Sequence, residues 1–401
     1  MSNPGTGESL FAVCFPEDYQ TGIVAGFPTG KIFKTTDAGQ TWYDVTPSPS
    51  YAIWSLCFPE GLDTGYAAGG TGASQQPKVL KTEDGGETWT ELDFGFWGTL
   101  YDIETGADLD HIWVTGDCGV VHSSDGGQTW SLQFHISNEP MGGCDFLDNE
   151  TGYAVGGFTN AMIVKTTDGG INWDVTHPGG SYMGDVLFPA GPDTGFATGI
   201  GGRIFRTVNG GDDWSRVDDG IGDGLHSLCF PAGCSTGYVT GTGGHILKTT
   251  DAGETWEDQA TPTGTEMVCV NFPPGDVMHG YVVGLNDILL STGDGGGSTG
   301  IADDPFIVIQ NEDFGIGAWP SPSATSVTVR FRLPQTGEIS IEVYGLDGRL
   351  RRTLSSGEYS EGTHEILWDG RDADGRNLSG GMYLLILSHP AGMVSETVIR
   401  L

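Results

Sequence analysis

The chain has 401 residues, 67 of them Gly and 20 Pro, and its 53 acidic residues against 17 Lys+Arg leave a formal net charge of −36. Such a charge repels phosphate backbones and anionic lipid surfaces, which excludes nucleic acid as a main partner, and no apolar run reaches the roughly 18 residues that a membrane-spanning helix needs. With 11 Trp, 12 Tyr and 18 Phe available for a core, the glycine points to short strands joined by tight turns, because Gly reaches positive φ without steric cost.

The first ten residues, MSNPGTGESL, carry neither the charged n-region nor the apolar h-region of a signal peptide. Beyond them three short elements recur in fixed order. The first is AVCFP, SLCFP, LYDIE, GCDFL, DVLFP, SLCFP and CVNFP. The second is TGIVAG (21–26), TGYAAG (64–69), IWVTG (112–116), TGYAVG (151–156), TGFATG (194–199), TGYVTG (236–241) and HGYVVG (279–284). The third is a turn ending in Trp: KTTDAGQTW (34–42), KTEDGGETW (81–89), HSSDGGQTW (122–130), KTTDGGINW (165–173), RTVNGGDDW (206–214) and KTTDAGETW (248–256). Its tryptophans, Trp42, Trp89, Trp130, Trp173, Trp214 and Trp256, stand 47, 41, 43, 41 and 42 residues apart. A decayed seventh copy, STGDGGGST (291–299), has Thr299 in the Trp position. A period of this size marks a repeat architecture.

Each unit predicts four short strands: the CFP-type segment, the GYAVG-type segment, the apolar stretch before the turn (KIFKT, KVLKT, MIVKT, RIFRT, HILKT) and the segment starting at the Trp. A four-stranded sheet repeated seven times is a seven-bladed β-propeller, whose radial closure leaves only short edges. The GH…WD signature of WD40 repeats is missing.

The pattern [ST]-x-D-x-G-x-T-W over about 9–300 resembles the Asp-box, or bacterial neuraminidase repeat. Asp37, Asp84, Asp125, Asp168 and Asp251, with Asn209 in unit five, are placed to accept backbone N–H groups inside a turn. The following glycines (Gly39, Gly86, Gly127, Gly170, Gly211, Gly253) supply a positive-φ position, and the Trp packs between sheets. A catalytic group is needed once and a turn in every blade, so these residues are read as structural. The spelling FPxxxxTGYAVG…KTTDGGxTW is also similar to the photosystem II stability/assembly factor group, single seven-bladed propellers that act as protein-binding scaffolds. That resemblance implies the fold; the 9 Lys+Arg against 39 acids in 1–300 do not supply the basic patch it would imply for photosystem assembly.

After 292 comes a polar, Gly-rich stretch, and 301–314 reads as a linker, within which PFIVIQN (305–311) is able to complete blade seven. The alternative is that blade seven closes with a strand lost from a truncated N-terminus, together with a signal. From 315 to 401 alternating strands joined by DG turns predict a small antiparallel sandwich. This segment resembles the Ig-like domain of the flagellar hook-capping protein and the C-terminal sorting domain of type IX-secreted proteins. The matching residues are Gly348 and Arg349, then Trp368, Asp369 and Gly370, then Gly381 and Tyr383, with Trp319-Pro320-Ser321-Pro322 in the opening position; Ser395 and Glu396 stand where a Lys pair is usual. The resemblance implies an export or anchoring role.

Sialidase chemistry requires three arginines around a carboxylate; 1–300 holds only Arg203, Arg206 and Arg216, all in one unit. A glycosidase of the xyloglucanase type, using axial-face carboxylates, stays as the alternative function. The loops leading into the first strands gather at one mouth of the axis and carry Tyr51, Trp54, Trp97, Tyr101, Tyr182 and His226, the candidate ligand-binding residues for a protein or glycan partner. Cys14, Cys57, Cys144, Cys229 and Cys269 recur in first strands and read as small core residues, with Cys118 and Cys234 besides. No HExxH or CxxC occurs, so no metal, cofactor or catalytic residue is assigned. The resulting expectation is a secreted or cell-surface binding scaffold that does not insert into the membrane and meets secretion machinery or the surface through its last domain.

Overall fold

In a strand of four to six residues, few ladder bonds hold the sheet, and stability has to come from what the faces bury. In the computed structural model the described residues run from Glu8 to Arg400, except 60, 62, 72–75, 219–220, 260, 262–263, 293–294, 296–306, 310–314, 320–325, 334–335, 346–348, 379–380 and 390–391. Seven four-stranded antiparallel sheets follow one another, each built from four consecutive strands. In the first blade these are Ser9–Cys14, Gly22–Phe27, Ile32–Thr35 and Tyr43–Asp44. The inner strands of the remaining blades are Ile53–Cys57, Leu100–Thr105, Met141–Phe146, Met183–Leu187, Leu225–Ala232 and Met267–Asn271. Each packs on the next, and the seventh packs on the first, which closes the ring. The chain is all-β, a seven-bladed propeller followed by an Ig-like sandwich.

Blade seven takes its outer strand from Ile307–Ile309, which pairs with Ile288–Thr292. Among the described residues no strand from the N-terminal end joins blade seven: Ser9–Cys14 is the inner strand of blade one. The stretch read as a linker thus contains a propeller strand, in line with the expectation that 305–311 completes blade seven; the rest of 301–314 lies outside the described residues.

The faces between blades repeat one aromatic arrangement. The Phe that ends the inner strand of one blade stacks on the aromatic ring of the preceding blade's second strand: Phe146 on Trp113 with centroids 3.7 Å apart, Phe188 on Tyr153 at 3.9 Å, Phe272 on Tyr238 at 4.4 Å, Phe230 on Phe196 at 4.5 Å. Phe15 on Tyr281, at 3.6 Å, repeats it across the ring closure. The Trp of the turn meets the same Phe edge-on, as in Trp173–Phe146 and Trp214–Phe188. This explains the glycine of the TGY element. A Cβ on Gly152 or Gly195 would overlap the ring of Phe146 or Phe188, so the two sequence elements are two halves of one contact.

The chain divides into two compact units, Met1–Gly295 with Phe306–Gln310, and Gly296–Pro305 with Asn311–Leu401. The second is a three-stranded sheet (Gly315–Trp319, Val327–Leu333, Gly362–Trp368) and a four-stranded sheet ordered Leu350–Tyr359, Gly337–Gly345, Gly381–His389, Gly392–Arg400. Its core holds Val329, Phe331, Ile341, Val343, Trp368, Leu385 and Leu387. Trp368 donates its indole N–H to the Arg371 carbonyl, 3.1 Å, which fixes the turn that follows. Of the residues quoted for the sorting-domain resemblance, Gly348 and 320–322 lie outside the described residues.

Candidate functional site

The recurring turn explains its residues locally. Asp84 Oδ1 accepts the Thr88 N–H at 2.8 Å and the Thr82 hydroxyl at 2.8 Å, and Oδ2 accepts the Thr88 hydroxyl at 2.6 Å. The Thr82 hydroxyl oxygen in turn accepts the Gly86 N–H at 2.8 Å. The same pattern recurs at Asp37, Asp125, Asp168 and Asp251. Asn209 keeps it by accepting the Asp213 N–H and donating its amide to Asp213 Oδ2 at 3.1 Å. These donors hold the Asp84, Asp125 and Asp251 carboxyls down at about 2, with the neighbouring Thr hydroxyl the largest cause. Two successive residues are left-handed, not one: Gly85 at φ 71° and Gly86 at 85°, with Ala38 and Ala252 taking the first position at 61°.

The candidate binding residues fall into groups. Trp54 is the centre of a chain of rings: Phe11 lies 4.5 Å from it, Phe27 5.8 Å and Tyr101 5.9 Å. All four are half-buried and lie where the inner strands of blades one to three begin. Tyr101 donates its hydroxyl to Asp117 Oδ1 at 2.9 Å, and Asp117 also accepts the Thr99 N–H. Trp97, 58 % exposed, is the most open of the set and has the His135 ring edge-on at 6.2 Å. Tyr51 is already engaged: Lys78 lies 4.8 Å over its ring, and its hydroxyl donates to Glu91, which pairs with Lys78. Tyr182 covers Gly142, and burial pushes its phenol up to about 12. His226 sits opposite Glu266, Nε2 to Oε1 2.9 Å; burial pulls the imidazole below its ordinary range while Glu266 works against that shift. The structure thus joins Trp54 and Tyr101, adds Phe11 and Phe27 to them, and places Tyr51, Trp97 and His226 in contacts of their own.

Below the mouth the inner strands line the axis, and here four acids lie that the sequence analysis did not single out. Asp102 and Glu104 come from blade three, Asp145 from blade four and Asp185 from blade five. Ser55 of blade two donates to Asp102 Oδ1 at 2.8 Å and the Cys57 thiol to Glu104 Oε2 at 3.6 Å, so these acids lie along the inner strands of neighbouring blades. An inner strand has one edge with no ladder partner, and its buried N–H groups need acceptors. The acids supply them. Asp102 Oδ2 accepts the Cys144 N–H at 3.0 Å, Asp145 Oδ2 the Phe188 N–H at 2.5 Å, and Asp185 Oδ2 the Leu228 N–H at 2.7 Å. Each bond runs to the next blade. Asn271 does the same for Phe15 N–H at 2.8 Å, across the ring closure. Enclosure by protein raises all four carboxyls, Asp145 to about 7 and Asp185 to about 8, Glu104 well above the ordinary carboxylate range. The signal was present in the sequence as a departure: LYDIE, GCDFL and MGDVL place acid where AVCFP and SLCFP have small residues or thiols.

Among the described residues no three His, Cys, Asp or Glu converge to hold a metal ion, and all seven cysteines are unbonded. Among the described residues no helix is long and apolar enough to cross a membrane.

No protein-family model and no curated protein matches the chain. Solved structures do resemble it. YCF48 bound to a D1 peptide is 19 % identical with TM-score 0.58, over 72 % of this chain and 93 % of that one. The GH74 enzyme of Niastella koreensis is 14 % identical with TM-score 0.62, over 98 % and 73 %. PorZ, a surface component of the type-IX secretion system of Porphyromonas gingivalis, is 14 % identical with TM-score 0.52, over 100 % and 60 %. At these identities the likeness shows the fold: a β-propeller resembling that of YCF48.

Proposed function

We propose that this chain is a non-catalytic binding scaffold, secreted or held at the cell surface, that captures a protein segment at the mouth over blades one to three. The observation that carries this is the linked ring set Phe27–Phe11–Trp54–Tyr101 with open Trp97 in the loop before blade three. Half-buried aromatic anchors offer large rigid contact area at small entropic cost. The peptide bound by YCF48 and the surface location of PorZ support the reading. The repeated turns are assigned as Asp-boxes with a structural role, on the strength of their hydrogen bonds. The Ig-like unit is assigned as an export or anchoring module of the type IX sorting kind.

The competing reading is a glycosidase, favoured by the GH74 likeness and by raised carboxyls on the axis. Against it, Asp102, Asp145 and Asp185 each spend an oxygen on the next blade's backbone. A displayed peptide library and a glycan array separate the two. We expect peptides that bind the full chain and lose at least tenfold in affinity in Trp54→Ala. Selection of no peptide, or hydrolysis of any glycan in the panel, overturns the proposal.

A further inference from the structure

The seven inner strands share one device at the mouth. In every blade the pairing of the first strand with the second slips by one residue near its start: between Leu10 and Ala12, between Ile53 and Ser55, between Leu100 and Asp102, and likewise in blades four to seven. The extra residue has no ladder partner, and a bulge of this kind re-aims its side chain. The last glycine of the TGYAVG-type element belongs to the device. A Cβ on Gly69 or Gly116 would overlap the Ala52 or Thr99 carbonyl that leads into the bulge. What the bulge presents differs round the ring: Phe11, Trp54 and Tyr101 in blades one to three, Gly142 and Gly184 in blades four and five. The aromatic side of the mouth is therefore made of three bulge residues, with Phe27 against the first two.

A second pattern lies beside it. Tyr51 donates its hydroxyl to Glu91 Oε2 at 2.9 Å, while Lys78 stands 4.8 Å over the Tyr51 ring and pairs with Glu91 Oε1. Ring and carboxylate together hold an ammonium group. Tyr101 donates to Asp117 Oδ1 at 2.9 Å in the same way, with the Trp54 ring 5.9 Å from its own. Among the described residues no Lys or Arg pairs with Asp117, and none stands over the Tyr101 or Trp54 ring.

We propose that the mouth takes its partner by a cationic side chain: a Lys or Arg of a basic protein segment packs against Trp54 and Tyr101 with Asp117 as its counter-charge, as Lys78 packs against Tyr51 with Glu91. This rests on the binding reading above and adds the charge of the partner.

Both halves of the site attract the same group. The face of an indole or phenol ring is negative, and a cation over it is drawn to that charge. Asp117 Oδ2 accepts the Thr99 N–H at 2.8 Å and Oδ1 the Tyr101 hydroxyl, yet each carboxylate oxygen has a second lone pair for another donor. The surrounding face has the same sign. Among the described residues, the loops at this end carry Asp93, Asp117, Glu139, Asp223, Glu266 and Asp287, and a single Lys or Arg, Lys31. Such a field draws in a basic segment and turns an acidic one away.

The probes are the peptides selected on the full chain and their neutral isosteres. We expect the selected peptides to share a Lys or Arg next to an apolar residue. Exchanging that residue for citrulline (for Arg) or norleucine (for Lys) should weaken binding about tenfold. Raising NaCl from about 50 to about 500 mM should weaken the cationic peptide and spare the isostere. Asp117→Asn should weaken the cationic peptide about fivefold and leave the isostere unchanged, so that the two losses do not add. The isostere and salt measurements use the wild-type chain and stand whatever Asp117→Asn does to its loop. Peptides whose binding needs Trp54 but survives the isostere exchange overturn the cation site and leave the scaffold reading intact. So does an equal loss for both peptides in an Asp117→Asn chain of unchanged Tm. Selection of no peptide overturns the scaffold reading and the cation site together.

Discussion

At the residue scale, part of the propeller's acidity is architectural. One Asp per turn is legible from the repeat. A second recurs in the loops between first and second strands: Asp18, Asp108, Asp148 and Asp276 each accept the N–H groups two and three residues on. The turn carboxylates, and Asp108 and Asp276 among those of the loops, are held below the ordinary Asp range by the groups that donate to them. The Asp84, Asp125 and Asp251 values lie below the ordinary Asp range, so their stabilisation is present above that range and is lost as pH falls towards about 2. We expect Asp84→Ala to lower Tm by roughly 2–4 °C at pH 6 and to leave peptide binding at the mouth unchanged; calorimetry and titration of a selected peptide check both. An unaltered Tm would contradict the turn role. Stability should therefore be lost as pH falls below about 4.

At the element scale, the blade is a unit because two sequence elements meet across its border. The Phe of CFP needs the ring of the preceding blade's second strand beneath it and the glycine of its own blade's TGY beside it. We expect Gly152→Ala to cost about 1–3 kcal/mol by driving a methyl into Phe146, measured by denaturant unfolding. Phe15→Ala should cost about 3–5 kcal/mol, because it removes the stack on Tyr281 in the interface that closes the ring. Among the described residues that closure has no shared strand. It rests on Phe15 with Tyr281, on Asn271 accepting Phe15 N–H, and on Tyr281 donating to the Tyr19 carbonyl at 2.7 Å. If Phe15→Ala were no worse than the equivalent change at Phe188, closure would carry no special load.

At the scale of the whole molecule, the propeller and the Ig-like unit each have their own core. The export assignment is testable on the second one alone as a tag. Fused behind a passenger in a bacterium with a type IX system, 315–401 should carry it to the cell surface; retention of the passenger inside the envelope would leave an Ig-like spacer.

The sequence by itself determined the number of blades, the order of their strands, the turn chemistry and the sandwich at the end, because each depends on contacts within one repeat or between neighbouring repeats, and repetition made those contacts visible seven times over. Even the outer strand of blade seven was within reach, as an apolar run of the right length at 305–311. Only the tertiary structure decided which of the tyrosines and tryptophans join one another, and that Asp102, Asp145 and Asp185 each accept a backbone N–H of the next blade. The reason is geometric. Convergence on an axis brings together residues about 40 positions apart at just two inner-strand positions, Glu104 equivalent to Asp145 and Asp102 to Asp185. Among 39 acids, the only local mark of these four is that they replace the small residue or thiol usual at those inner-strand positions.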